Sequence, residues 1–217
     1  MDYLPTTPTP TPVQPSHSFV ERIIGAAKLS RPIFAEVRRD PSAMMQAAGI
    51  VAVTGLLSGI SQFAIYRGTT IDLGDGDTYE VTNSFFGPFV SGIGVALISL
   101  VFWIFSAVIL RFVATKMLSS PETSIQWQEV ARPLGFASAP SLLLILTPVP
   151  IIGWFIGFIL IVWGFVAQLV AMSETFRVSK WRTFFIILVA AFVSAIVIVL
   201  ILCICIFAAM AVLAVAR

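Results

Sequence analysis

The chain has 217 residues, of which 58% are hydrophobic and 11% charged, with 13 Lys+Arg against 11 Asp+Glu; mean hydropathy is +0.98. So few charges could not solvate the exterior of an ordinary water-soluble domain, whose charged share is about 25%. A net charge of only +2 excludes the basic footprint of a nucleic-acid-binding protein.

Residues 1–17 are rich in Pro and Thr, with Pro5, Pro8, Pro10, Pro12 and Pro15. That composition predicts a disordered or polyproline II tail, with partner docking as the sharper alternative. It is not the apolar core of a cleaved signal peptide.

Residues 18–43 form the next unit. Ser18 and Glu21 have capping-box spacing. Phe19, Val20, Ile23, Ile24 and Ala27 cluster on one helical face, with Glu21, Arg22 and Lys28 elsewhere. Pro32 can start a second short helix carrying Ile33, Phe34 and Val37, which Asp40-Pro41 closes. A basic amphipathic segment ahead of a span fits the membrane interface; a soluble protein partner is the alternative occupant of that face.

Residues 44–217 read as a five-span membrane domain. A helix needs about 20 apolar residues to cross the hydrocarbon core. Charges are absent from 41–66, 81–110, 133–173 and 183–216. The third of these stretches is long enough for two spans and is broken by Thr147-Pro148-Val149-Pro150, which cannot continue a helix. The expected spans are 44–66, 86–110, 133–147, 151–173 and 184–213. The third is short, and Pro140 should kink it; it either crosses with help from an upstream turn or re-enters. Residues 119–131 read as an entry helix, with Ser120 as cap, Pro121 at its first position and Thr123/Gln126 in box spacing.

Between the first two spans, Thr69–Leu73 and Thr78–Thr82 flank Gly74-Asp75-Gly76-Asp77. This predicts a small outer β-hairpin. Its Asp and Glu residues lack the ligand spacing of a calcium loop. The fold class is thus an all-α, five-helix membrane bundle with an N-terminal amphipathic helix on the cytoplasmic side and a hairpin outside.

The positive-inside rule orients it. With the N-terminus cytoplasmic and the C-terminus outside, residues 1–43, 111–132 and 174–182 are inside and hold 11 of the 13 basic residues. Trp154 and Trp181 should sit at headgroup depth, while Trp103 and Trp163 fall mid-span and pack between helices.

Chemistry is thin. The spans contain no Asp, Glu, Lys, Arg or His, which removes the groups used in proton relays and charge-coupled transport. The single His, His17, falls in the tail, where a general base would lack fixed geometry. Cys203 and Cys205 point roughly 200° apart on a helix, so they cannot share a zinc. No catalytic residue, metal or cofactor is expected. Gly55-x-x-x-Gly59 and Gly153-x-x-x-Gly157 allow close helix packing, within the chain or in a homo-oligomer.

Three motifs together carry a family resemblance. The first is Phe34-Ala35-Glu36-Val37 followed by Asp40-Pro41. The second is Gly135-Phe136-Ala137-Ser138-Ala139-Pro140, and the third is Pro150-x-x-Gly153-Trp154 with Trp163. The chain resembles the YIP (Ypt/Rab-interacting) family of membrane proteins in its prokaryotic-type form, across about residues 19–210. The resemblance implies five spans, a cytosolic N-terminus, no enzymatic activity, and the inner membrane for a prokaryotic source. Eukaryotic members associate with prenylated Rab-type GTPases in vesicle traffic. Arg39-Asp40-Pro41-Ser42 departs from their pre-span motif, so GTPase binding does not carry over. The resulting expectation is a membrane-organising or partner-binding scaffold. Phe34, Glu36, Asp40, Pro41, Gly135, Phe136, Pro140 and Gly153 are its candidate motif or partner-binding residues. A small transporter or pore component is the alternative, motivated by the breaks at Pro140 and Pro148/Pro150.

Overall fold

A computed structural model describes residues 17–66, 68–74, 77–80, 85–118, 125–149 and 152–215. The expected tail 1–16, the Ser120–Pro121 cap, Pro150 and Arg217 lie outside the described residues, as does the tip of the outer loop at 75–76.

Two short helices come first, α1 (Phe19–Ala27) and α2 (Arg31–Arg39). Ser18 and Glu21 form a reciprocal capping box at the start of α1, satisfying two of the helix's free N–H groups. Leu29, at φ 62°, ends α1 in the left-handed conformation, and the Ser30 N–H reaches back to the Gly25 carbonyl at 2.9 Å. That Schellman turn reverses the chain into α2.

Then come α3 (Ala43–Tyr66), α4 (Gly87–Met117), α5 (Trp127–Phe136), α6 (Ile152–Phe176) and α7 (Lys180–Val215). Between α3 and α4, strands β1 (Thr70–Gly74) and β2 (Asp77–Glu80) pair antiparallel, Thr70 opposite Glu80 and Asp72 opposite Thr78. Among the described residues, five helical segments are long and apolar enough to cross a membrane: Ala43–Tyr66, Gly87–Met117, Trp127–Leu146, Ile152–Phe176 and Lys180–Ile204.

The third segment differs from the expected 133–147. Its helix starts at Trp127, capped by Gln126 with Glu129 in a reciprocal box, so the upstream entry helix and the span are one element. Helix α5 stops at Phe136 and a 3₁₀ stretch runs from Ala139 to Leu146, because Pro140 has no N–H to continue an α-helical ladder. The segment runs parallel to α3: a Cβ on Gly135 would lie 2.8 Å from Ala47 Cβ, and Ser61 Oγ donates to the Leu144 carbonyl at 2.9 Å. Ala47 and Ser61 are 14 residues apart on α3, about 21 Å of helix rise. The segment therefore travels through most of the bundle's thickness beside α3. The same carbonyl accepts from the Thr147 N–H at 3.0 Å and the Thr147 hydroxyl at 2.7 Å, so the end of the 3₁₀ stretch and α3 meet at one acceptor.

The bundle is packed by small residues and exposes its large ones. A Cβ on Gly55 would lie 2.7 Å from Ala96 Cα, and one on Gly59 2.7 Å from Gly92 Cα, so α3 and α4 run antiparallel in near backbone contact. Ser91 Oγ donates across this seam to the Gly59 carbonyl at 3.0 Å. Gly153 fits against the Thr147 carbonyl, closing the turn between the 3₁₀ stretch and α6. Gly157 and Gly164 differ: nothing described stands within 4 Å of a Cβ there, so the second glycine motif contributes its first member alone to packing within the chain. Val90, Leu97, Val101, Phe155, Phe158, Ile161, Phe192 and Ile204 are all exposed, as lipid-facing residues are where the solvent is hydrocarbon. Trp154 (88% exposed) and Trp181 (75%) stand at the first turns of α6 and α7.

Trp103 is buried, and its indole N–H donates to the Ala131 carbonyl at 2.9 Å. Trp103→Phe keeps an aromatic ring but removes this α4–α5 link and leaves a small void where the second ring of the indole stood. Thermal unfolding in neutral detergent should show a loss of about 1–3 kcal/mol, the bond and the void together; no change would mean that neither contributes.

Candidate functional site: a buried ionic knot and a basic bundle end

Glu36 and Asp40 stand four residues apart on and just after α2, a spacing that places both on one side. They converge on Arg22 of α1. Arg22 Nη2 donates to Asp40 Oδ2 at 2.6 Å and to Glu36 Oε1 at 2.8 Å, Nε donates to Glu36 Oε1 at 3.0 Å, and Nη1 to Gln46 Oε1 at 2.9 Å. The Arg22 side chain is 1% exposed, Asp40 8% and Glu36 13%. One guanidinium thus ties α1, α2 and the first turn of α3 together. Its planar fork of donors suits this task in a way that a lysine ammonium does not.

Helical periodicity sets Arg22 apart from the apolar face of α1. Arg22 is buried, while Phe19, Val20 and Ile24 are exposed. The reason is tertiary: the two carboxylates and Gln46 lie behind α1, and a guanidinium that meets all three outcompetes an apolar residue for that place. Ile23 and Ala27 do pack inward against the core. His17 likewise is not free in a tail, since its Nδ1 lies 2.6 Å from Glu36 Oε2.

Asp40 has a second role. Its Oδ1 accepts from the Ser42 N–H at 2.9 Å and the Ser42 hydroxyl at 2.7 Å, organising the entry to α3. Burial pushes the Asp40 carboxyl upward, but the bonds from Ser42 and Arg22 outweigh it and hold it below its ordinary value of 3.8.

The remaining candidate residues frame the knot. Phe34 is fully buried beside Ile33 and Val37. Pro41 follows Asp40 in the turn into α3 and is exposed. Phe136 is buried and meets the Phe19 ring edge-on at 6.5 Å. Pro140 is buried at the start of the 3₁₀ stretch. Gly135 seats that segment on Ala47, and Gly153 closes its far turn. Glu36, Asp40 and Phe34 are thus brought together with Phe136 through α1, whereas Gly153 lies at the other end of the third segment. Arg22 is the member that sequence reasoning did not single out. A signal existed: two carboxylates four apart, directly before an apolar span, require a cation nearby.

Further tethers join this layer to the spans. Trp163 donates to the Ala27 carbonyl at 2.8 Å, Arg38 Nη1 to the Thr175 carbonyl at 2.8 Å, and Arg132 Nη1 to the Arg38 carbonyl at 2.9 Å. Arg38 Nε also lies 3.4 Å from Glu129 Oε2. Burial lowers the Arg38 pKa; Glu129 opposes this, and the nearby Arg177 and Arg39 add to the lowering, which marks this end of the bundle as crowded with cations. Among the described residues, no group of three or more His, Cys, Asp or Glu is placed to hold a metal.

The arrangement can fix a two-helix cap rigidly to one end of an apolar bundle. A family model described as the Yip1 domain matches residues 14–215. No curated protein and no solved structure matches the chain.

Proposed function

The chain belongs to the Yip1-domain family of multi-pass membrane proteins, and from that premise we propose that it works without catalysis, as a membrane-organising and partner-binding scaffold. The observation that carries this is the Arg22–Glu36–Asp40 knot. It makes residues 18–43 a fixed platform instead of a loose arm, with Phe19, Val20 and Ile24 exposed on α1. On this reading those three side chains lie in the membrane interface. The polar rim of α2, with Arg39 exposed, faces a protein partner together with segments 111–132 and 174–182. The excess of Lys and Arg in these segments supports a cytoplasmic N-terminus and an outside C-terminus. The bilayer is then one partner, and a cytoplasmic protein the other.

Site-specific photocrosslinkers in native membranes test this. Probes at Val20 and Ile24 should label lipid, and probes at Lys28 and Arg39 should give discrete protein adducts. A reporter fused after Arg217 should be active outside. Solute flux in proteoliposomes, with no adducts at Lys28 or Arg39, would replace this reading with the transporter.

A further inference from the structure

Where α6 hands over to α7, a half-open cavity of about 350 Å³ is lined by Arg31, Ser173, Glu174, Arg177, Val178, Ser179 and Lys180. Its three cations come from two separate parts of the chain. Arg31 is the first residue of α2, Lys180 the first of α7, and Arg177 stands in the turn between α6 and α7. Among the described residues none of the three is ion-paired, in contrast to Arg22 and Arg38. Glu174 is the single carboxylate in the lining, so the cavity keeps an excess of positive charge. The beginnings of α2 and α7 add their positive ends to it, set against the negative end of α6, whose last turn holds Ser173 and Glu174.

The turn holding Arg177 has an unusual residue at its strained position. Val178 N–H bonds the Ser173 carbonyl at 3.3 Å and Arg177 has φ 53°. This is a Schellman turn with arginine at the left-handed position where glycine is usual. A backbone that glycine would adopt freely is thus occupied by an arginine that lines the cavity.

The position of the cavity selects its ligand. The fourth apolar span ends at Phe176 and the fifth starts at Lys180, so the cavity lies at the edge of the hydrocarbon core, where phospholipid phosphates sit. Trp181, exposed beside it, is the residue type that marks headgroup depth. Ser179, exposed, supplies a hydroxyl group, whereas the Ser173 hydroxyl donates to the Val170 carbonyl at 2.9 Å. We propose that this cavity binds the phosphate of an anionic phospholipid headgroup, with Arg31, Arg177 and Lys180 as its charge partners. The proposal goes beyond the scaffold reading and does not depend on which side of the membrane this end faces.

The full chain, purified in neutral detergent, is mixed with phosphatidylglycerol or phosphatidylcholine, and retained lipid is counted by native mass spectrometry. Phosphatidylglycerol should be retained preferentially. Arg177→Gly and Lys180→Gln should each reduce that retention about fivefold, the effect of one basic residue at a lipid surface. Arg177→Gly should not lower the thermal midpoint, because glycine relaxes the turn; a loss of lipid there cannot be ascribed to unfolding. Glu174→Gln should raise retention, which misfolding cannot mimic. Equal retention of the two lipids would overturn the proposal. So would unchanged retention in Arg177→Gly and Lys180→Gln. Displacement of phosphatidylglycerol by millimolar inorganic phosphate, with no matching effect of sulfate, would assign the site to free phosphate and overturn the lipid assignment.

Discussion

Arg22→Ala will destabilise the folded protein by about 3–5 kcal/mol, the cost of leaving buried carboxylates without their cation. The variant keeps Asp40 at 8% and Glu36 at 13% side-chain exposure but removes the donors that compensate them. Arg22→Lys should recover only part of the loss, since one ammonium cannot reproduce contacts to Glu36, Asp40 and Gln46 from a planar fork. The control is a neutral triple variant, Arg22→Met with Glu36→Gln and Asp40→Asn, which should return to within about 1–2 kcal/mol of the parent because no unpaired charge stays buried. Thermal or SDS-induced unfolding in detergent reads all of these. Equal stability of parent and Arg22→Ala would show that the knot is not holding the cap.

The same knot sets an acid dependence. The folded-state pKa of Asp40 is lowered from 3.8. The unfolded chain therefore binds its proton first as pH falls, and the contribution of Asp40 is complete above about pH 4 and lost as pH drops through the folded value. Asp40→Asn should flatten that part of the stability profile and leave the neutral range unchanged in shape.

Gly59→Leu is the second large effect. A Cβ at Gly59 would already lie 2.6 Å from the Ser91 carbonyl oxygen and 2.7 Å from Gly92 Cα. Both are backbone atoms of α4, so neither can rotate away. The helices must separate, the Ser91–Gly59 bond is lost, and overpacking of this kind costs about 1–3 kcal/mol even for smaller intrusions. Gly55→Leu should behave alike, against Ala96 Cα and Ser99 Oγ. Gly94→Ala and Gly157→Ala, with nothing described within 4 Å, should be neutral or slightly stabilising, since alanine is the better helix former. A uniform response across all four glycines would mean that helix propensity and not packing governs them.

Much of the architecture was legible in the chain itself. Long uncharged runs and the prolines at 148 and 150 sufficed to place five spans, because the bilayer imposes one length and one polarity on every segment that crosses it. Close packing at Gly55 and Gly59 was legible too, since backbones approach only where side chains are absent. The third segment was less legible. Its helix draws on Trp127–Arg132, polar enough to read as an entry helix separate from the span, and its 3₁₀ half is held by a Ser61 hydroxyl from a helix 83 residues away in sequence.

The family-motif residues were visible as letters but not as a structure. Glu36 and Asp40 stood out through the family motif; that Arg22 completes them did not, because helical periodicity only sets it apart from the apolar face of α1. Periodicity knows only one helix at a time, and burying a charge depends on what other helices bring to it. Arg31 and Arg177 show the same limit. They are 146 residues apart in sequence, and only the packing of α2 against the α6–α7 turn makes them one basic cavity. The sequence alone determined that this protein lives in a membrane and how often it can cross, since both follow from transfer of residues between water and lipid. Tertiary structure alone decided which charges are paired, which are buried and which remain available, since a charge's worth depends on partners that the linear chain does not place beside it.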